Sequence, residues 1–78
     1  MQKYKTIDFS FGSPQRIGEF LNFLSNFNDR VDYMTGYENL EYHIFVHPTN
    51  SANDLDVEVI NQAYKKIISE QNANLKKI

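Results

Sequence analysis

The chain has no cysteine, no tryptophan, and only three glycines and two prolines among its 78 residues. Without cysteine it can form neither a disulfide framework nor a thiolate site. It also has no apolar run of membrane-spanning length and no signal-peptide core near its N-terminus. We therefore predict a cytoplasmic protein that has no membrane partner.

A concentration of basic charge is missing as well. Ten acidic and eight basic residues give a net charge of −2, and the only lysine doublets are Lys65-Lys66 and Lys76-Lys77. Proteins that bind nucleic acid normally display a basic stripe that neutralises phosphates. The composition therefore predicts that nucleic acid is not a partner.

Complete catalytic, phosphate-binding and metal-ligating motifs are absent too. His43 and His47 are four residues apart on a predicted strand, which separates them by about 13 Å, too far to share one ion. A site made by His43 and Asp32 would lack a third ligand. We expect a protein that is not an enzyme, with no catalytic residue, no bound metal and no cofactor.

Three segments alternate between apolar and polar residues, a pattern typical of half-buried strands. They run from Lys3 to Phe11, from Arg30 to Tyr37 and from Leu40 to His47. Residues 36–39 favour a hairpin turn, because glycine and asparagine tolerate positive φ. The side chains predicted on the core face are Ile7, Phe9, Phe11, Val31, Tyr33, Thr35, Tyr37, Leu40, Tyr42, Ile44 and Val46.

Two segments have helical periodicity. Ser13 predicts the N-cap of the first helix and Pro14 its first residue, and Gly18 predicts close approach to a strand. Asn53 or Asp54 caps the second helix, whose pattern thins beyond Glu70. The predicted apolar stripes are Ile17, Phe20, Leu21, Leu24 and Phe27 in the first helix, and Val57, Ile60, Ala63, Tyr64, Ile67 and Ile68 in the second.

This order predicts one α+β domain over residues 1–78, an open-faced two-layer sandwich of ferredoxin-like or related type. Both helices cover one face of a sheet of three or four strands, since a crossover between parallel strands is right-handed. The segment from Leu40 to His47 is the expected central strand. Residues 71–78 extend the helix, form a short last strand with Leu75 and Ile78, or remain a flexible tail.

The open sheet face is the predicted partner-binding site. It would display Asp32 and Met34 from the second strand and His43 and Phe45 from the third, and exposed apolar groups framed by polar ones often mark an interface. Tyr37, near the hairpin tip, is a candidate anchor. The edge of the segment from Arg30 to Tyr37 is a second option, because an uncovered edge can pair with another strand.

The start of the first helix is a candidate ligand-binding site. Ser13 and Arg16 could join the backbone amides in holding an anion. Ser13 is also explained as a simple cap, and Pro14 removes one of the amides that an anion would use.

The stretch RIGEFLNFLSNFNDRVDYMTG, from Arg16 to Gly36, resembles the first helix and second strand of HPr-like phosphocarrier domains. The resemblance implies a phosphotransfer-related protein. The phosphorylatable histidine expected before that helix is replaced here by Ser13-Pro14-Gln15-Arg16, so a phosphocarrier role would fall to His43 or His47.

The element order, with FSF before the first helix and EYHIFV in the third strand, is similar to ACT-type amino-acid-sensing domains. That resemblance implies a ligand-sensing dimer with its ligand near Gly12 to Arg16. The residues themselves favour a small protein-binding module that acts as a regulator, inhibitor or accessory subunit. Its expected partner is another protein, with a homodimer as a further option.

Overall fold

The computed structural model describes residues 4–76, with side-chain environments for residues 4–70. The elements follow the predicted order: β1 (Ile7–Phe11), α1 (Pro14–Leu24), a 3₁₀ turn (Ser25–Phe27), β2 (Val31–Glu38), β3 (Glu41–Pro48) and α2 (Asp54–Lys76). No helix within residues 4–76 is both long and apolar enough to cross a membrane.

The three strands form one antiparallel sheet in the order β1-β3-β2. β3 is therefore central, as predicted, and β1 and β2 run parallel to each other on either side of it. α1 connects these two outer strands by crossing over β3, the arrangement of a split β-α-β unit. The α+β two-layer sandwich is thereby confirmed.

Both helices pack on the same face of β1 through an aromatic cluster. The ring centroid of Phe20 in α1 lies 5.0 Å from that of Phe9 and 5.5 Å from that of Phe11. The ring of Tyr64 in α2 approaches the same two rings at 4.7 and 5.3 Å. Aromatic pairs in this range add about 0.5–1.5 kcal/mol each beyond the area that they bury.

The Tyr64 hydroxyl donates to the backbone carbonyl of Ser10 at 2.8 Å, so its polar end is satisfied where the ring is buried. The cluster thus fixes α2 along β1.

The N-terminal caps explain where the helices begin. Ser13 accepts a hydrogen bond from the backbone N–H of Gln15 at 3.3 Å, as expected of a cap. At α2, Asn53 accepts from the N–H of Asp56 at 2.8 Å and Asp56 accepts from the N–H of Asn53 at 3.2 Å. This reciprocal capping satisfies two otherwise unpaired donors and confirms Asn53 as the cap.

One prediction about the helices is wrong. A Cβ added to Gly18 would meet nothing within 4 Å, so this exposed glycine does not mark close approach to a strand. Of the alternatives left open for residues 71–78, extension of the helix is the one observed, as far as Lys76. Ile78, which was assigned to the alternative strand, lies outside the described residues.

The β2–β3 hairpin has a tighter turn than predicted. Tyr33 and Thr35 share a face with Ile44 and Val46, as predicted, but the turn consists of Asn39 and Leu40 alone, which pairs Tyr33 with Val46 and not with Tyr42 as a turn at residues 36–39 would. Asn39 and Leu40 both have positive φ, 55° and 65°, as a type I′ turn requires. Leu40 is therefore a turn residue that is 82% exposed, and its assignment to the core face is wrong.

Leu40→Gly is expected to stabilise the fold by about 0.5–1 kcal/mol. A left-handed conformation costs a residue with a Cβ about 1–2 kcal/mol, and part of that gain is offset because glycine loses more backbone freedom on folding. Urea unfolding monitored by circular dichroism measures the change, with Asn39→Gly as the matched control that gains less. A Leu40→Gly variant that unfolds more readily than the wild type would contradict this account.

Candidate protein-binding surface

β2 is the strand that the helices leave bare. Val31 is buried at its start, but Tyr33 and Tyr37 are 47% and 59% exposed although their side chains lie on the helix-covered face of the sheet. The physical reason is that both helices are anchored on β1, the far edge of the sheet. Tyr33, which the alternation placed on the core face, is therefore exposed, and so is Tyr37, the candidate anchor near the hairpin tip.

The backbone groups of β2 can be assigned to its two sides. The N–H of Thr49 donates to the carbonyl of Arg30 at 2.9 Å, just beyond the paired residues Val31 and Pro48. In an antiparallel ladder this makes the Val31–Pro48 pair a non-hydrogen-bonded one, and hydrogen-bonded pairs alternate with it. Every second residue of β2 thus points its N–H and C=O away from β3, namely Val31, Tyr33, Thr35 and Tyr37.

The free edge of β2 lacks the usual protection against strand pairing. Natural edge strands are commonly protected by proline, lysine, a bulge or a covering helix. The eight residues of β2 contain no proline and no lysine, and their pairing with β3 runs without a bulge. Asp32 and Glu38 are its only charged residues. This edge can accept another strand.

Exposed apolar side chains flank the edge on both faces of the sheet. Tyr33 and Tyr37 lie on the helix-covered side, Met34 is 73% exposed on the opposite side, and Leu40 projects from the adjoining turn. We call Tyr33, Met34, Tyr37 and Leu40, together with the outward backbone groups of β2, the β2 edge surface. Leu40 thus exposes an apolar side chain beside this edge from a turn position with positive φ.

The predicted partner-binding residues divide between this surface and the centre of the open sheet face. Met34 and Tyr37 belong to the β2 edge surface, and Asp32 lies beside Met34 on the open face. His43 and Phe45 lie on β3 and are half-buried. Phe45 lies on the open face, as predicted, but it is only partly exposed, because His43 stacks on its ring with 5.7 Å between the ring centroids. A ring carbon of Phe45 also lies 3.3 Å from where a Cβ on Gly36 would be.

His43 forms a local polar pair with Asp8 of β1. Its Nδ1 lies 2.8 Å from a carboxylate oxygen of Asp8, and its side chain is 15% exposed. The hydrogen bond that the His43 imidazole donates to the Asp8 carboxylate raises the pKa of His43 above its ordinary value, assisted by the negative charges of Asp8 and Glu41 and opposed by burial. His43 is thus engaged within the sheet.

The candidate metal ligands are not brought together. The register places Asp32 opposite His47, while His43 lies opposite Gly36. His47 Nδ1 lies 2.7 Å from the hydroxyl of Thr6. Within residues 4–76 no group of three or more histidine, aspartate or glutamate side chains could hold a metal ion.

Ser13 and Arg16, the candidate ligand-binding residues, both have local roles. Ser13 caps α1, and Arg16 Nη1 forms a 2.8 Å ion pair with Glu19 one turn along the same helix. A shallow groove of about 320 Å³ lies between α1 and α2, lined by Phe23, Ala63 and Ile67 and bordered by charged residues. The geometry gives an anion no dedicated donor among these residues.

No protein-family model matches this chain, and there is no match among curated proteins or solved structures.

Sequence reasoning missed Tyr33 and Leu40 as surface residues. For Tyr33 the strict alternation with Val31 and Thr35 indicated the correct face, but the sequence does not state which strands a helix covers. For Leu40 a signal existed. Asn39 is a preferred first residue of a two-residue type I′ turn, although the Glu38–Glu41 pair that this turn opposes is unfavourable.

Removing the carboxylate in Asp8→Asn is expected to lower the pKa of His43, which a proton–nitrogen NMR titration of the imidazole reports directly. Because the folded-state pKa is raised, the Asp8–His43 pair contributes its full stability below the ordinary histidine pKa. That contribution is lost as pH rises through the raised value. The wild type should therefore lose more stability than Asp8→Asn between pH 5.5 and 8.5 (~3 pH units spanning the histidine range). Identical titration curves in the two proteins would disprove the coupling.

Proposed function

We propose that this protein is a cytoplasmic, non-catalytic protein-binding module that binds a partner by adding the partner's strand to the free edge of β2. The observation that carries the proposal is the row of outward N–H and C=O groups on β2, flanked by exposed apolar side chains and lacking edge protection. Such a module serves as a regulator, an inhibitor or an accessory subunit.

Strand addition fits the chemistry of this surface. Main-chain hydrogen bonds supply affinity, while side chains that alternate above and below the sheet supply specificity. Here a partner strand would contact Tyr33 and Tyr37 on one face and Met34 on the other. Tyrosine is among the residues that contribute most strongly to binding at interfaces. The open sheet face is the weaker site, because His43 and Phe45 are half-buried and His43 pairs with Asp8.

The alternative functions rest on less. An ACT-like ligand site near Gly12 to Arg16 would have to recruit Ser13 and Arg16 away from their contacts with Gln15 and Glu19. An HPr-like phosphotransfer role would require His43 or His47 to accept phosphate. Both remain predictions from resemblance, and the β2 edge surface favours neither.

Met34→Lys is expected to reduce partner binding at least tenfold. A lysine beside the outward edge opposes strand addition, which is how natural edge strands avoid unwanted pairing. Leu55→Lys is the matched control, since Leu55 is likewise an exposed apolar residue and lies on α2. Affinity capture from the source cell with quantitative mass spectrometry measures the effect, after thermal unfolding has shown that both variants fold.

A protein captured in a 1:1 ratio by the wild type and by Leu55→Lys, and lost with Met34→Lys, supports the proposal. Equal capture by all three proteins places binding elsewhere and contradicts it.

A further inference from the structure

We infer that the strand that pairs with the β2 edge is β2 of a second copy of this chain, antiparallel about a two-fold axis through Met34. The inference rests on the proposed function and names its partner. It makes a closed, isologous dimer in which the same surface acts on both sides. Three features of the β2 edge surface support self-pairing over pairing with an unrelated strand.

The first feature is that the outward N–H and C=O groups all belong to odd-numbered residues of β2. In a continuous antiparallel sheet, the hydrogen-bonded pairs between the two copies must therefore join an odd-numbered residue of one copy to an odd-numbered residue of the other. Four two-fold registers within β2 meet this requirement with at least five strand residues paired on each side. They are centred on Tyr33, on Met34, on Thr35 and on Gly36.

The second feature is charge, which selects among these registers. Centring on Thr35 places Asp32 directly opposite Glu38, twice by symmetry, and like charges in directly opposed positions are destabilising. Centring on Tyr33 or on Gly36 pairs only five residues, 31–35 or 34–38, because β2 begins at Val31 and ends at Glu38. Centring on Met34 pairs residues 31–37 in full and opposes no like charges.

The third feature lies just beyond the paired residues. The Met34 register brings Glu38 next to Arg30 of the second copy. The side chain of Arg30 is 42% exposed although it lies beside Asp56, so its guanidinium can also reach the carboxylate of Glu38. It also brings the turn residues Asn39 and Leu40 next to Asp29 and Asn28 of the second copy. Residues 26–30 line a depression of about 370 Å³, which could receive the exposed Leu40.

The resulting dimer has a six-stranded sheet with all four helices on one face. On that face Tyr33 lies opposite Thr35 of the second copy, and Val31 lies opposite Tyr37. On the open face the two Met34 side chains meet at the axis. Seven paired residues a side is fewer than the ~20–30 of a standard interface, so the dimer should dissociate on dilution.

Single cysteines test the register, because the natural chain has none. In the Met34 register the two residues at position 34 form a non-hydrogen-bonded pair with Cα atoms about 4.5 Å apart, within disulfide range. In a glutathione buffer Met34→Cys should therefore form mostly disulfide-linked dimer. Asp32→Cys is the matched control on the same face, since its two copies would lie about 13 Å apart. Tyr33→Cys, Thr35→Cys and Gly36→Cys test the other three registers.

Sedimentation equilibrium of the uncrosslinked proteins completes the experiment. The wild type and Leu55→Lys should form dimers, while Met34→Lys, which opposes two lysines at the axis, should raise the dimer dissociation constant at least tenfold. A dimer that crosslinks best through Tyr33→Cys, Thr35→Cys or Gly36→Cys would overturn the Met34 register. A wild type that stays monomeric at all concentrations would overturn self-pairing altogether.

A monomeric wild type leaves the proposed function standing if a different protein is captured by the wild type and is not captured by Met34→Lys. If the wild type is monomeric and Met34→Lys loses no captured protein, both proposals fall.

Discussion

The structure depends on the packing of both helices against one strand. Phe20 from α1 and Tyr64 from α2 both contact the rings of Phe9 and Phe11, so the two helices are held over β1. The covered part of the sheet extends over β3, where Ile44 and Val46 are fully buried, but on β2 only Val31 is buried. Because the aromatic cluster holds both helices over β1, most of β2 lies beyond the area that the helices cover.

The exposed strand β2 is where the packing of the fold bears on the proposed function. Only every second residue of β2 bonds its N–H and C=O groups to β3. The other residues present these groups to solvent, where water competes with any partner for the hydrogen bonds. Tyr33, Met34 and Tyr37 favour a partner strand over water, since the strand would bury their apolar surface while it forms its hydrogen bonds. The Asn39-Leu40 turn adds an exposed leucine at the end of the same strand.

The sequence predicts the helices and strands far better than it predicts which side chains of the sheet the helices bury. Alternation in β2 and β3 predicted which residues share a face, and Ser13-Pro14 marked the start of α1, because both signals are local. The register was not predicted, because it depends on the position of the turn, which lies at Asn39-Leu40. Tyr33 and Phe45 show where local signals end. Tyr33 lies on the predicted face yet is exposed, because cover depends on where α1 and α2 pack. Phe45 lies on the open face yet is half-buried, because His43 stacks on it and Gly36 has no side chain to keep it away. The candidate site therefore moved from the middle of the open face to the edge of the sheet.

The most direct test of the central claim, that β2 is an open edge available for pairing, is amide hydrogen exchange resolved residue by residue with NMR at low and high protein concentration. The account predicts slow exchange at Asp32, Met34 and Gly36 at every concentration, because their amides bond to β3. Tyr33, Thr35 and Tyr37 should exchange fast in dilute solution and slow down as the protein is concentrated. Strong protection of those three amides in the dilute monomer would mean that the edge is already covered, which would contradict the account.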